Sequence, residues 1–217
     1  MQPFRSTRYL LLFCLICCTC AGQSISIGVA GGGRLTDDVT STATNESKRY
    51  VVGPTFEFGL PHHFAIEIDA LYHRHGYRDE GGYSLGSWVE RERANSWEFP
   101  ILFKYKLPPP KVRPFVEAGV TPRTISGTIS ESGVTYDYYT GLPTPFHYRY
   151  KADWSPSVGV VVGGGVELGV SRLRISPQVR FTYWTSTPVS VYHEGGPSFQ
   201  SNQKQVDLLV GIGWKVR

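Results

Sequence analysis

Eleven charged residues, Glu57, Glu67, Asp69, Glu98, Lys104, Glu117, Glu167, Arg174, Arg180, Asp207 and Lys215, share one property. Each occupies an alternate position in a stretch whose other alternate positions are apolar. A period of two puts such residues on one face of a strand. Carboxylates, guanidinium groups and ammonium groups gathered on enclosed faces can do two things. They can neutralise one another in a fixed network, or they can line a narrow path along which ions pass or a gate opens by exchange of partners. An isolated enclosed charge costs several kcal/mol, so the expectation is a network in which Lys104, Arg174 and Arg180 pair with the carboxylates.

Other reactive residue types lead less far. His73 and His75 lie two apart near Asp69, so two imidazoles and a carboxylate face one way, a partial metal set at a rim. Two imidazoles alone do not make a site, and the expectation is no metal and no cofactor. His62 and His63 sit in a tight turn and should be solvated. His193-Glu194 and nearby serines supply the residue types of a hydrolase, but no spacing sets a base beside a nucleophile. No catalysis is expected. The four cysteines, Cys14, Cys17, Cys18 and Cys20, all precede residue 23.

That early segment reads as a targeting signal, residues 1–22. Arg5 and Arg8 make a basic start, Tyr9 to Cys18 an apolar run too short to span a bilayer, and Ala21-Gly22 a cleavage site before Gln23. Its removal leaves no cysteine, which excludes a disulfide scaffold, a thiolate metal site and a cysteine nucleophile. The rival use is lipidation at Cys18 after Leu15-Ile16-Cys17, where the bulky residue before Cys18 fits poorly. The formal net charge is +4, of which Arg5 and Arg8 account for two. No basic stripe remains for nucleic acid.

The elements that must position the charges are strands. Tyr50, Val52, Phe56, Phe58 and Leu60 alternate with Gly53, Thr55, Glu57 and Gly59; Phe64, Ile66, Ile68, Ala70 and Tyr72 with Ala65, Glu67, Asp69, Leu71 and His73. Trp97 to Tyr105, Leu173 to Trp184 and Gln205 to Val216 repeat the rule, as do Ser24 to Gly32 and Val158 to Val170. Pro114 to Thr121 is a weaker eighth segment. Small Gly28, Gly53, Gly159, Gly163, Gly165, Gly211 and Gly213 on the polar face would leave room for long Glu and Arg side chains in a narrow interior.

Aromatic residues mark both ends of the apolar faces: Tyr50, Tyr72, Trp97 and Tyr183 at one, Phe58, Phe64, Tyr105 and Trp214 at the other. Two interfacial girdles have this form. Trp97 and Tyr105 are eight steps apart, about 26 Å along a strand, or roughly 20 Å of height at a tilt of about 40°. Short turns at Pro61-His62-His63, Pro108 to Arg113 and Ser171-Arg172 alternate with long loops at 34–47, 77–93, 122–154 and 185–203. The expectation is an all-β, closed, antiparallel up-and-down transmembrane barrel over 23–217, with eight strands and both termini periplasmic. The alternative is ten strands, the extra pair coming from 122–154. That connection is rich in Tyr136, Tyr138, Tyr139, Tyr148 and Tyr150, a contact surface for an extracellular partner if it is not simply more barrel wall.

Trp97 to Tyr105, Pro114 to Val120, Gly159 to Leu168, Ser176 to Trp184 and the final strand resemble the PorT-like outer-membrane β-barrel family, small porin-like barrels of OmpA/OmpX type. The resemblance implies a Gram-negative outer-membrane location, lipid contact and no catalytic residues. Gly211, Trp214 and Val216 resemble the strand signal read by the barrel-assembly machinery, although the chain ends in Arg217 and not Phe. The functional expectation is a structural, porin-like or surface-interaction protein with a plugged lumen. The alternatives are a narrow pore for small solutes or ions and a soluble periplasmic ligand-binding barrel.

Overall fold

Within hydrocarbon every backbone N–H and C=O needs a partner, and a sheet meets that demand only if its two edges join. The computed structural model, which describes residues 24–40, 43–108, 111–153, 156–186, 190–191 and 199–216, has this form. Eight staves run in chain order: β1 (Ile25–Arg34), β2 (Tyr50–Gly59), β3 (Phe64–Asp69 and Leu71–Tyr83), β4 (Gly86–Glu98 and Ile101–Lys106), β5 (Val112–Tyr136), β6 (Pro143–Asp153 and Ser157–Val170), β7 (Leu173–Trp184) and β8 (Lys204–Lys215). Each pairs antiparallel with its sequence neighbours, and β1 pairs with β8 to close the ring.

The breaks in β3 and β4 are chemical rather than geometric. Register is unchanged across Ala70, from Thr55↔Asp69 to Val52↔Tyr72. Pro54 and Pro100 have no N–H to give, so each serves only as an acceptor, for Ala70 N–H at 3.1 Å and Asp69 N–H at 3.0 Å. A third proline, Pro122, accepts from Phe99 N–H at 2.9 Å.

Burial is inverted relative to a soluble barrel. Phe56, Ile68, Val179 and Ile212 are 41%, 39%, 47% and 47% exposed, whereas Glu67 and Arg180 are 6% and 2% exposed. Along the apolar segments, greasy side chains therefore face outward and charged ones inward, which rules out the soluble ligand-binding barrel.

The loops depart from expectation. The 77–93 stretch is a continuous hairpin of β3 and β4, paired up to Tyr83↔Gly86. The weak segment at Pro114 to Thr121 is the first part of the longest strand, 25 residues. Its partner in the upper part of β6 pairs from Pro143↔Tyr136 to Asp153↔Ser126, so 122–153 extends the existing wall and adds no stave. Past Pro122 the outward residues are Thr124, Ser126, Thr128 and Ser130, polar like a wet surface, so apolar alternation disappears where the strand continues. Short strands Val39–Thr40, Phe199–Ser201 and Ser190–Val191 form a small separate sheet, and Thr44–Asn45 pairs with β3. At the opposite end the turns are tight: His62, His63 and Ser171 adopt left-handed backbone, φ 59°, 68° and 57°.

Val179→Arg, at mid-wall on the outward face, should lower stability by about 2–4 kcal/mol, measured by equilibrium urea unfolding in lipid vesicles. An unchanged midpoint would mean that Val179 does not meet lipid.

Candidate functional site

The inward parity brings side chains from all eight staves onto one axis. Nearest the short turns, Lys106 Nζ donates to Glu57 Oε1 at 2.6 Å and also bonds Glu167. Arg174 Nη1 reaches the same Glu57 oxygen at 2.6 Å and Glu167 at 3.7 Å. Further in, Arg180 donates from three nitrogens: Nε to Glu117 at 2.8 Å, Nη1 to Asp69 at 2.6 Å, Nη2 to Glu67. Lys104 bridges Glu67 and Glu117 and lies 4.4 Å above the Phe115 ring. Charge-assisted bonds of this density, away from water, offset the desolvation of each ion.

Toward the long hairpins, Arg34 is the hub. Its Nε donates to Asp207 at 3.0 Å, Nη2 to Glu98 at 2.8 Å and Nη1 to Asp38 at 3.2 Å. Gln205 bridges Glu98 and Asp207, at 3.1 and 2.6 Å, and accepts from Trp184 Nε1 at 2.9 Å. The Arg123 guanidinium stacks 3.7 Å over the Trp184 ring and donates to Ser157 Oγ at 3.1 Å. Buried Ala30, Val51, Leu71 and Leu209 form an apolar cluster in the same interior. Above it, Tyr77 and Tyr150 both donate to Glu90, at 2.7 and 3.2 Å.

Ten of the eleven charges named from sequence thus lie within this interior, and Lys215 does not: it is exposed at the end of β8. Sequence reasoning missed Lys106, which shares the parity of Lys104, and Glu90 and Glu92, which share that of Glu98. It also missed Arg34 and Arg123, beyond the ends of the apolar runs, and Asp38, which folds inward from a loop. His73 and His75 share a face but are buried inside the wall and not at an outer rim. They do not converge: His73 Nε2 meets Asp38 at 2.6 Å, His75 Nδ1 meets Glu92 at 3.2 Å, and Asp69 belongs to Arg180. No cluster of three metal-ligating side chains occurs among the described residues. Exposed His62 and His63 form the turn at the other end. His193-Glu194, Cys18 and residues 1–22 lie outside the described residues.

At Gly159 a Cβ would meet side chains, Thr182 at 2.7 Å and Trp184 at 3.0 Å, and at Gly163 it would meet Val179 O at 2.7 Å as well as Glu117 Oε1 at 3.0 Å and Arg180 Cγ at 3.2 Å. At Gly28 the obstacle is instead the neighbouring backbone, Ile212 O at 2.3 Å. On the outer face Tyr50, Tyr72 and Trp97 make one chain of rings, with centroids 6.3 and 5.3 Å apart. Phe64 contacts Phe103 and Tyr105 at the opposite end, each at 5.0 Å. Phe58, Tyr183 and Trp214 also project outward.

The family described as an outer membrane protein beta-barrel domain matches residues 21–183. Among solved structures, Neisserial surface protein A aligns at a TM-score of 0.50 and 11% identity, over 89% of this chain and 99% of that one. The N-terminal β-barrel domain of Pseudomonas aeruginosa OprF aligns at 0.40 and 10%, over 88% and 96%. Ail, the attachment invasion locus protein of Yersinia pestis, aligns at 0.36 and 11%, over 89% and 97%. At these identities the likeness is one of fold. No curated protein matches the sequence.

Arg180→Ala leaves Glu67, Asp69 and Glu117 short of their shared cation. It should destabilise the barrel by about 3–5 kcal/mol, read as a lower temperature for loss of the compact band on a heat-modifiability gel. An unshifted transition would show that the three carboxylates do not depend on Arg180.

Proposed function

The chain belongs to the outer membrane protein beta-barrel domain family, with its seat in the outer membrane of a Gram-negative cell, and we propose that it serves there as a non-catalytic structural and surface-interaction barrel whose lumen is closed to ions. The observation that carries this reading is the run of ion pairs along the axis, from Lys106 through Arg180 to Arg34. An eight-stranded barrel is only wide enough for its side chains to fill. Opposite charges held on one another leave a passing ion little to bind beyond single atoms such as Asp69 Oδ1 and Arg123 Nη2, and the Ala30–Val51–Leu71–Leu209 cluster adds an apolar constriction.

In this reading residues 1–22 are removed as a signal, and both termini face the periplasm with the tight turns. The barrel-assembly machinery recognises Gly211, Trp214 and Val216, and the two belts, Tyr50, Tyr72, Trp97, Tyr183 and Phe58, Phe64, Tyr105, Trp214, sit at the two interfaces. The 122–154 hairpin then projects outside the cell. Its tip exposes Tyr138 and Tyr139, whose rings pack edge-to-face at 5.2 Å, and Phe146 stacks on Tyr148 at 5.5 Å. Rigid aromatic faces on a firmly paired hairpin suit an extracellular partner.

Two experiments test this reading. The protein reconstituted in planar bilayers should show no steady openings, while Lys104→Ser with Arg180→Ser should produce ion-selective conductance; stable wild-type openings would favour the narrow pore instead. Because the processed chain has no cysteine, Tyr139→Cys should react with a membrane-impermeant maleimide on intact cells. Labelling only after the outer membrane is breached would reverse the orientation.

A further inference from the structure

The interior network leaves another set of cations unused. On the outward face of β3, β4, β5 and upper β6, register aligns Arg78, Arg91, Ser130 and Arg149 in one row across the sheet. The row beneath holds Gly76, Arg93, Thr128 and Lys151, and the next Arg74, Asn95, Ser126 and Asp153. Below that comes the belt itself, Tyr72 beside Trp97. Like charges directly opposite one another destabilise a sheet, and Arg78 faces Arg91.

Carboxylates answer only part of this charge. Glu46 meets Arg91 at 2.9 Å and Glu80 meets Arg78 at 2.9 Å. Among the described residues neither Arg93 nor Arg149 has a carboxylate partner, and the buried Nε of Arg91 has no hydrogen-bond partner. Arg74, Arg91, Arg93, Arg149 and His147, with Thr128 and Ser130, border a cavity of about 460 Å³ in the outer wall. Forked guanidinium donors backed by hydroxyl donors match the oxygens of a phosphate.

Height selects the source of that phosphate. Arg74 is two positions beyond Tyr72, and Arg93 and Arg91 are four and six beyond Trp97. At about 3.3 Å per residue and a tilt of about 40°, the cluster spans roughly 5–15 Å above the belt. With the belt at the interface, that is the level of the headgroups. We propose that this groove binds the phosphorylated headgroup of an outer-leaflet glycolipid, with Arg93 and Arg149 as the principal phosphate ligands and the Tyr72–Trp97 belt against its acyl chains. The inference rests on the long hairpins lying outside the cell. Titration in micelles is blind to orientation, so its failure is separable from a failure of the Tyr139→Cys labelling.

The test uses the folded barrel in zwitterionic detergent, with binding read by native mass spectrometry. The titrants are diphosphorylated lipid A, the same lipid stripped of phosphate, inorganic phosphate and a sulfated glycan fragment. Diphosphorylated lipid A should bind, and Arg93→Gln with Arg149→Gln should weaken it roughly tenfold or more, whereas Lys111→Gln with Arg172→Gln at the short-turn end should not. Both arginines are exposed, and a retained gel shift verifies folding; Arg93→Gln alone replaces the pair if the double variant misfolds. Equal binding of the dephosphorylated lipid, an unaffected variant, or displacement by equimolar phosphate or glycan would overturn the proposal.

Discussion

A charge in the middle of this molecule has two media open to it, hydrocarbon outside the wall or the enclosed interior, and only the interior supplies counter-charges. Arg180 shows how completely the fold answers that constraint. Three nitrogens of one guanidinium meet carboxylates from β3 and β5, and the adjacent Lys104 ties two of the same carboxylates together. Removing these charges from water is costly, and the geometry recovers that cost only when every partner is in place. The wall and the interior are therefore one specification. The outward residues require lipid, the inward residues require one another, and the two-residue period of the strand delivers both at once.

The interior is also graded along its length. Near the tight turns, two basic residues and two carboxylates interlock; in the middle, Arg180 and Lys104 serve three carboxylates; toward the hairpins, Arg34 holds three more with help from Gln205 and a stacked Arg123. Beyond this, the groups become phenols and imidazoles, as Tyr77, Tyr150, His73 and His75 take over, and the wall outside becomes basic and hydroxylated. Inner and outer faces change character at about the same level, just past the Tyr72–Trp97 ring pair.

This change of character along the wall explains what was legible in the sequence. Between the belts, every second residue had to be apolar, so β2, β7 and β8 and most interior charges could be read from parity. Past the belts the outward residues were free to be polar, and the alternation ended before the strands did. Glu90, Glu92, Arg123 and the upper halves of β3, β4 and β5 were hidden for that reason, and the hairpins read as loops. Asp38 carried no periodic signal at all, because a loop and not a strand brings it to Arg34 and His73. His73 and His75 were placed on one face correctly, yet shared parity does not mean a shared partner. Lys215 kept the right parity but ran out of wall to enclose it.

The closing seam has a further consequence. Arg34 stands directly opposite Asp207 where the first strand meets the last, and both are buried there. In an unrolled sheet these two ions would sit at opposite margins, each facing acyl chains without its counterpart. The edge amides and carbonyls of β1 and β8 would be stranded in the same way. Curling the sheet shut resolves both deficits in one motion, so a half-zipped ring is a poor resting state. The two ends of the chain, farthest apart in sequence, act as the latch.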